Sequence, residues 1–366
     1  MLRDLGSRDH EFIRVVRTIR TRLLELAGVA GKGFGAIPMQ GSGTFALESV
    51  IGSVIPPTGK ILVVVDGAYG RRLVQIASTL KVVNAVLEWA EDQPPNPIEI
   101  ETVLGGDPSV TQVAVVHCET STGMINPVRE IGEVVRKHAR SYIVDAMSSF
   151  GGVPLDMSEC GIDYLVSSAN KCIEGVPGFA FVLARREALL ATEGLARTLS
   201  LDLLAQWKGL ESSGQFRFTP PTHALLAFHQ ALKELEEEGG LGRRAARYRA
   251  NSEILLQGMR ELGFEEFLRP EDRAYIITSF RYPRHPKFNF ETFYERLSEK
   301  GYVIYPGKVS KADCFRIGNI GHSFPDDIRH LLIAVQQTLN EMGIELTPAT
   351  RSGRQDEKHQ AKLSHP

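Results

Sequence analysis

The sequence predicts an α/β protein: a mostly parallel sheet with helices on both faces, followed by a smaller α+β unit. Three observations carry that prediction. Short apolar runs such as Lys60-Ile61-Leu62-Val63-Val64-Val65 recur, separated by stretches of helical periodicity, from residue 44 to residue 185. Strands joined through helices lie parallel in one sheet. The runs are continuously apolar rather than alternating, as strands covered on both faces require. Several of them end in small polar residues, and in open parallel sheets ligands bind beyond the carboxyl ends of the strands.

Size and charge narrow the class. The 366 residues and 43% hydrophobic content suffice for two domains, expected at 1–245 and 246–346, with a polar, disordered tail at 347–366. Net charge is −2, from 42 basic and 44 acidic residues, and leaves no footprint for nucleic acid. No apolar run approaches the ~20 residues of a membrane span, and the N-terminus lacks an apolar signal core. Cys118, Cys160, Cys172 and Cys314 have neither metal-ligand nor disulfide-framework spacing, so a reducing cytoplasm and no metal are expected.

The elements follow in order. Phe12, Val15, Val16, Ile19, Leu23 and Leu26 form the apolar stripe of a first helix. Glycine-rich sequence then leads into Gly41-Ser42-Gly43-Thr44, which opens a second helix. A turn of this kind offers free N–H groups, hydroxyls and a positive dipole end to an anion. It matches neither the phosphate loop of nucleotide-binding proteins nor the dinucleotide fingerprint. The Lys60–Val65 strand runs into Asp66-Gly67-Ala68-Tyr69-Gly70 and an arginine-rich helix from Arg71. Strands follow at 82–87, 113–117, 142–145, 163–168 and 179–183, with helices at 97–104 and from Pro127. Helices at 222–238 and 242–262 lead to short strands at 274–280, 302–305 and 314–317, with helices at 290–300 and 326–342.

Two residues focus the chemistry. Lys171 follows Ser167-Ser168-Ala169-Asn170 and precedes a Gly/Pro turn between two apolar runs. An amine placed there is costly to desolvate, and lysines in such settings form Schiff bases with carbonyl compounds. Asp145 ends the neighbouring strand, one strand–helix–strand unit earlier. An acid and an amine at adjacent strand ends suit pyridoxal phosphate, whose ring nitrogen needs the acid and whose aldehyde needs the amine. The Ser42–Thr44 turn would hold the phosphate.

With these residues in view, the sequence resembles the fold type I pyridoxal phosphate enzymes, and among them the class V aminotransferases. The matching segments are Gln40–Thr44, Gly67–Gly70, His117–Met124, Ile143–Gly152, Ser167–Phe179, Phe216–His223, Tyr305–Ser310 and Cys314–Gly321. The resemblance implies a large domain with a mostly parallel seven-stranded sheet and a small C-terminal α+β domain. It implies that Lys171 links to the cofactor and shuttles a proton, and that Asp145 pairs with the pyridinium nitrogen. Tyr69 would stack on the ring, and Ser42, Gly43 and Thr44 would bind the phosphate with Asn170 beside it. Thr120 would reach the ring's phenolic oxygen. Thr219 would contact the phosphate of a neighbouring subunit in a homodimer with sites at the interface. Arg316 would clamp the anionic group of the substrate.

Within the family the match is strongest to members that move the amino group of 2-aminoethylphosphonate to pyruvate in phosphonate degradation. The alternatives are an alanine–glyoxylate or serine–pyruvate type enzyme, and an inactive or cofactor-free paralogue. Relatives carry a strand-like segment with a Pro-Gly-Pro turn before the equivalent of Met1-Leu2-Arg3-Asp4, which this chain lacks. Taken singly, Tyr69, Thr120, Thr219 and Arg316 have ordinary uses as core, caps and an ion pair; the ordered set favours the site.

Overall fold

The structure, a computed structural model, describes residues 4–306 and 312–347. In chain order the elements begin with α1 (His10–Leu26), whose first turn is capped by Asp9 accepting from Glu11 N at 2.7 Å. There follow β1 (Phe34–Gln40), α2 (Gly43–Val54), β2 (Lys60–Val65), α3 (Ala68–Thr79), β3 (Val83–Glu88), α4 (Pro97–Gly106) and β4 (Val110–Val116). A two-residue hairpin, β5 (Cys118–Glu119) and β6 (Met124–Ile125), precedes α5 (Val128–Lys137), β7 (Ser141–Asp145), β8 (Tyr164–Ser168) and β9 (Phe179–Arg185). Then come α6 (Arg186–Leu190), α7 (Leu203–Ser213), α8 (Thr222–Glu237) and α9 (Gly240–Glu261). The chain closes with β10 (Ile277–Arg281), α10 (Phe290–Glu299), β11 (Tyr305–Pro306), β12 (Cys314–Gly318) and α11 (Pro325–Glu341).

Seven strands form one sheet in the order β1-β9-β8-β7-β4-β2-β3. The pairs β2–β3, β2–β4, β4–β7 and β7–β8 are parallel, whereas β9 runs antiparallel to both β8 and β1. Reversal at β9 turns β1 back into the direction of the parallel strands, so Gln40 ends on the same edge as Val65, Val116, Asp145 and Ser168. Ile61 to Val65, Val113 to Val115 and Ile143 to Val144 are fully buried, which explains their unbroken apolar runs.

A second core gathers around the antiparallel sheet β10-β12-β11, with Leu255, Met259, Phe264, Phe293, Phe315 and Val335 inside it. Its rings pack edge-on and tilted, Phe264 against Phe315 at 5.5 Å between centroids. Helix α9 joins two apolar clusters: Tyr248, near its start, packs with Cys118, Cys172 and Ile276, and Leu255 and Met259, near its end, lie in the second core.

The elements differ from expectation in several places. Phe34–Gln40 is a strand, hidden in the sequence by Gly35 and Pro38. Helix α7 carried no predicted period. Helix α3 begins at Ala68 rather than Arg71, which moves Tyr69 from a loop into the first helical turn. The expected strand at 302–305 shrinks to Tyr305–Pro306, and Val303 is exposed. The expected tail at 347–366 lies, apart from Thr347, outside the described residues, as does most of the Tyr305–Ser310 motif.

Candidate active site

The carboxyl edge of the sheet borders a cavity of about 230 Å³ lined by Ser42, Gly43, Thr44, Tyr69, Asp145, Asn170 and Lys171. Thus seven of the nine residues expected to hold the cofactor share one space, though 129 residues of chain separate the first from the last (171 − 42). Lys171 sits in the turn after β8 and is half-buried rather than enclosed, so its desolvation is smaller than the sequence implied. Its amine makes no hydrogen bond or ion pair among the described residues.

Asp145 is 3% exposed. One carboxyl oxygen accepts from Met147 N at 2.9 Å. Burial pushes its pKa up to about 7; the Met147 N–H opposes the shift, Glu119 adds to it, and Arg72 and Lys171 pull it down. Such a carboxyl gains from a cation placed against it. His117, next to the end of β4, is also buried. Its Nδ1 lies 2.9 Å from Ser149 Oγ, and burial lowers its pKa to about 4, so it is a neutral hydrogen-bonding group.

Ser42 is the N-cap residue of α2, yet its side chain makes no capping bond. Its hydroxyl and the first N–H groups of the helix are therefore available to an anion. A Cβ on Gly43 would fall 2.1 Å from Met147 Sδ, so the bare glycine lets the Met147 side chain pack against this helix start. Tyr69 lies in the first turn of α3, and Arg72, one turn on, places its guanidinium 4.8 Å from the Tyr69 ring centre. Arg72, Met147, Ser148 and Ser168 also line the cavity and escaped sequence reasoning. Arg72 was findable once α3 is known to start at Ala68, by its i+3 spacing from Tyr69.

The other expected residues stand apart from this cavity. Thr120 is buried in the β5–β6 turn, and its carbonyl accepts from Arg316 Nη1 at 2.6 Å. Arg316 Nη2 donates to Pro306 O at 3.0 Å, while its buried Nε has no partner among the described residues. Arg316 is thus fixed by backbone carbonyls rather than by a surface carboxylate. Thr219 is exposed; its carbonyl accepts from Gln40 Nε2, and its side chain is not part of the cavity. Cys172 donates to Ser148 O at 3.0 Å, and burial raises its thiol, so it packs and does not attack.

The family model for class-V aminotransferases matches residues 2–309. The chain belongs to the class-V aminotransferases. Curated relatives agree. A protein named 2-aminoethylphosphonate–pyruvate transaminase from Syntrophobacter fumaroxidans is 51% identical over 344 residues, covering 94% of this chain and 92% of its own. Transaminases of the same name from Vibrio cholerae and Klebsiella pneumoniae are each 50% identical over 341 residues, covering 93% of both chains. Among solved structures, ureidoglycine–glyoxylate aminotransferase from Bacillus subtilis superposes with a TM-score of 0.86 at 25% identity, covering 93% of this chain and 88% of its own. Pyridoxamine–pyruvate aminotransferase from Mesorhizobium loti does so with 0.85 at 23%, with the same coverage, and supports the fold.

The cofactor of the family, pyridoxal phosphate, fits the residues present. An uncommitted helix N-terminus with a free hydroxyl suits the phosphate. The buried Asp145 lacks the cation that a protonated ring nitrogen supplies. Tyr69 offers an aromatic face and Lys171 an unpaired amine. Among the described residues no group of His, Cys, Asp and Glu is arranged to hold a metal, and no helix is long and apolar enough to cross a membrane.

Proposed function

We propose that this chain transfers the amino group of 2-aminoethylphosphonate to pyruvate, giving phosphonoacetaldehyde and L-alanine. The observation that carries the reading is the meeting of Lys171 and Asp145 in one cavity, in a chain half identical to transaminases of that name. Pyridoxal phosphate, when bound, supplies an electron sink for the carbon that bears the amino group.

The chain's residues divide the remaining work. Asp145 keeps the ring nitrogen protonated, since its buried charge is stabilised by a cation opposite. Lys171 Nζ would hold the cofactor between turnovers and, once the substrate's amino group has displaced it and left the amine free, would serve as the base that takes a proton from the carbon bearing the amino group. Ser42, Gly43, Thr44 and Asn170 anchor the phosphate, and Tyr69 covers the ring. Thr120 would reach the ring oxygen in the family's pattern, although its side chain stands outside this cavity. Arg316, a planar fork whose buried Nε–H has no partner among the described residues, would bind the phosphonate or carboxylate. The exposed Thr219 faces outward, as expected of a residue serving the second site of a homodimer. A cytoplasmic setting goes with these soluble substrates.

Absorbance and reductive labelling test the cofactor: borohydride should fix it on the peptide containing Lys171, and Lys171→Ala should lose both label and turnover. Comparing kcat/KM for 2-aminoethylphosphonate with that for alanine and serine tests the donor. Steady-state transamination by Lys171→Ala, or a clear preference for alanine or serine, would sink the assignment.

A further inference from the structure

Two buried carboxyl groups near the site have no part in this chemistry. Glu119 (β5) and Asp66 (after β2) are both fully buried. Their surroundings are opposite in character. Glu119 accepts from Tyr69 N at 3.0 Å and Gly70 N at 3.1 Å, and from Ser121 Oγ at 2.5 Å and Ser121 N at 3.2 Å. Ser121 Oγ in turn accepts from Ala68 N at 3.2 Å. Among the described residues neither Asp66 oxygen has a hydrogen-bond partner of normal geometry, and only the nearby Asn126 side chain and its own backbone N–H partly offset its burial.

The first turn of α3 explains the arrangement. Its N-cap position is Gly67, which has no side chain to satisfy the free N–H groups. Glu119 does so from another strand. The fit leaves no room for a larger residue: a Cβ on Gly67 would fall 2.5 Å from Glu119 Cδ. The helix dipole and two backbone donors favour a negative charge on Glu119. Asp66 has no helix N-terminus against it, and among the described residues the Oδ1 of Asn126 beside it is buried without a donor, its amide being given chiefly to Val116 O at 2.8 Å. A proton on Asp66 supplies the missing donor and removes a second buried charge.

We propose that Glu119, ionised, is a positioning residue that fixes Tyr69 over the cofactor by capping α3 from outside the helix, with Asp66 beside it held as the neutral acid. The inference rests on Tyr69 covering the cofactor ring, as read above. Burial raises both carboxyls, but on Glu119 the donors from Ser121, Gly70 and Tyr69 oppose it, whereas burial and the neighbouring Glu119 charge push Asp66 up to about 8, so the proton goes to Asp66. In the same turn the Thr120 carbonyl accepts from Arg316 Nη1, so the cap also steadies the contact that fixes this arginine.

The test uses Glu119→Gln, Asp66→Asn, Ser121→Ala and Tyr69→Ala, each with and without cofactor. In the cofactor-free protein, Glu119→Gln should speed amide hydrogen exchange at Tyr69 and Gly70 at least tenfold, and Asp66→Asn should leave it unchanged. Titrated with pyridoxal phosphate, Glu119→Gln should raise Kd at least tenfold, Ser121→Ala severalfold, and Asp66→Asn less than twofold. Both increases should vanish in the Tyr69→Ala background. If Glu119→Gln does not fold, Ser121→Ala and Asp66→Asn decide by the same criteria. Protected Tyr69 and Gly70 amides in Glu119→Gln, additive effects with Tyr69→Ala, or an Asp66→Asn cost equal to that of Glu119→Gln would overturn the proposal. Unchanged cofactor affinity in Tyr69→Ala alone would instead overturn the placement of Tyr69.

Discussion

Replacing Asp145 by Asn should weaken cofactor binding and strengthen the cofactor-free fold. The carboxyl is buried at the end of β7 with one backbone donor, and its pKa rises from 3.8 to about 7. A carboxyl whose folded pKa is raised contributes most at low pH, and that contribution is lost as pH climbs from 3.8 through about 7. Above pH 7 the cofactor-free protein therefore carries a penalty of up to about 4 kcal/mol, taking about 1.4 kcal/mol for each pH unit between the two values.

Asparagine has the same shape and can keep the Met147 N–H bond, so it removes the penalty without opening a cavity. It also removes the charge that meets the ring nitrogen, a charge-assisted bond worth roughly 1.5–3 kcal/mol, so Kd should rise roughly ten- to a hundredfold. Urea denaturation of the cofactor-free proteins at pH 5 and pH 8 measures the first effect, and absorbance titration with pyridoxal phosphate the second. The variant should gain on the parent at pH 8 more than at pH 5. Equal cofactor affinity, or a variant less stable than its parent at pH 8, would refute the role given to this acid.

Two further outcomes follow from buried groups elsewhere. Arg244 is 2% exposed, donates to Cys172 O at 2.7 Å and pairs with Glu238 at 2.5 Å, so Arg244→Met should cost about 3 kcal/mol by leaving its partners uncompensated; chemical denaturation of the holoenzyme reads this directly, and a loss under 1 kcal/mol would contradict it. His117 has a depressed folded pKa, so it stabilises the fold above its ordinary 6.5 and loses that contribution as pH falls toward about 4. Asp145, Asp66 and Glu119 act in the opposite direction across part of that range. The difference between parent and His117→Asn denaturation curves should therefore shrink between pH 6.5 and 4, and a difference that grows there would be inconsistent with a buried neutral imidazole.

The sheet was legible because burial on both faces leaves unbroken apolar runs, as in Lys60–Val65. The lysine and its acid were legible because few other uses place those groups at adjacent strand ends. Strand β1 was not legible, since Gly35 and Pro38 interrupt its apolar pattern and only pairing with β9 makes it a strand. The cap of α3 was equally hidden: Gly67 has no capping side chain, and its substitute lies 52 residues downstream (119 − 67). Local rules read caps from adjacent residues, so a cap delivered by tertiary structure leaves no local mark. Arg72 was missed for the same reason, because the helix start that gives it its face is fixed by Glu119.

Helix α9 has a consequence for how the molecule comes apart. A 22-residue helix is about 33 Å long. Arg247, near its start, grips Glu174 of the lysine turn at 2.8 Å and the carbonyls of Gly321 and Ser323 beyond β12 at 2.8 and 2.9 Å. The start of the helix is therefore tied by hydrogen bonds to the lysine turn while its end is packed into the second core, so loss of either contact frays the same rod. Heating should produce one calorimetric transition rather than two, and a fragment cut before Leu262 should keep the whole helix but expose Leu255 and Met259, the side chains that pack in the second core.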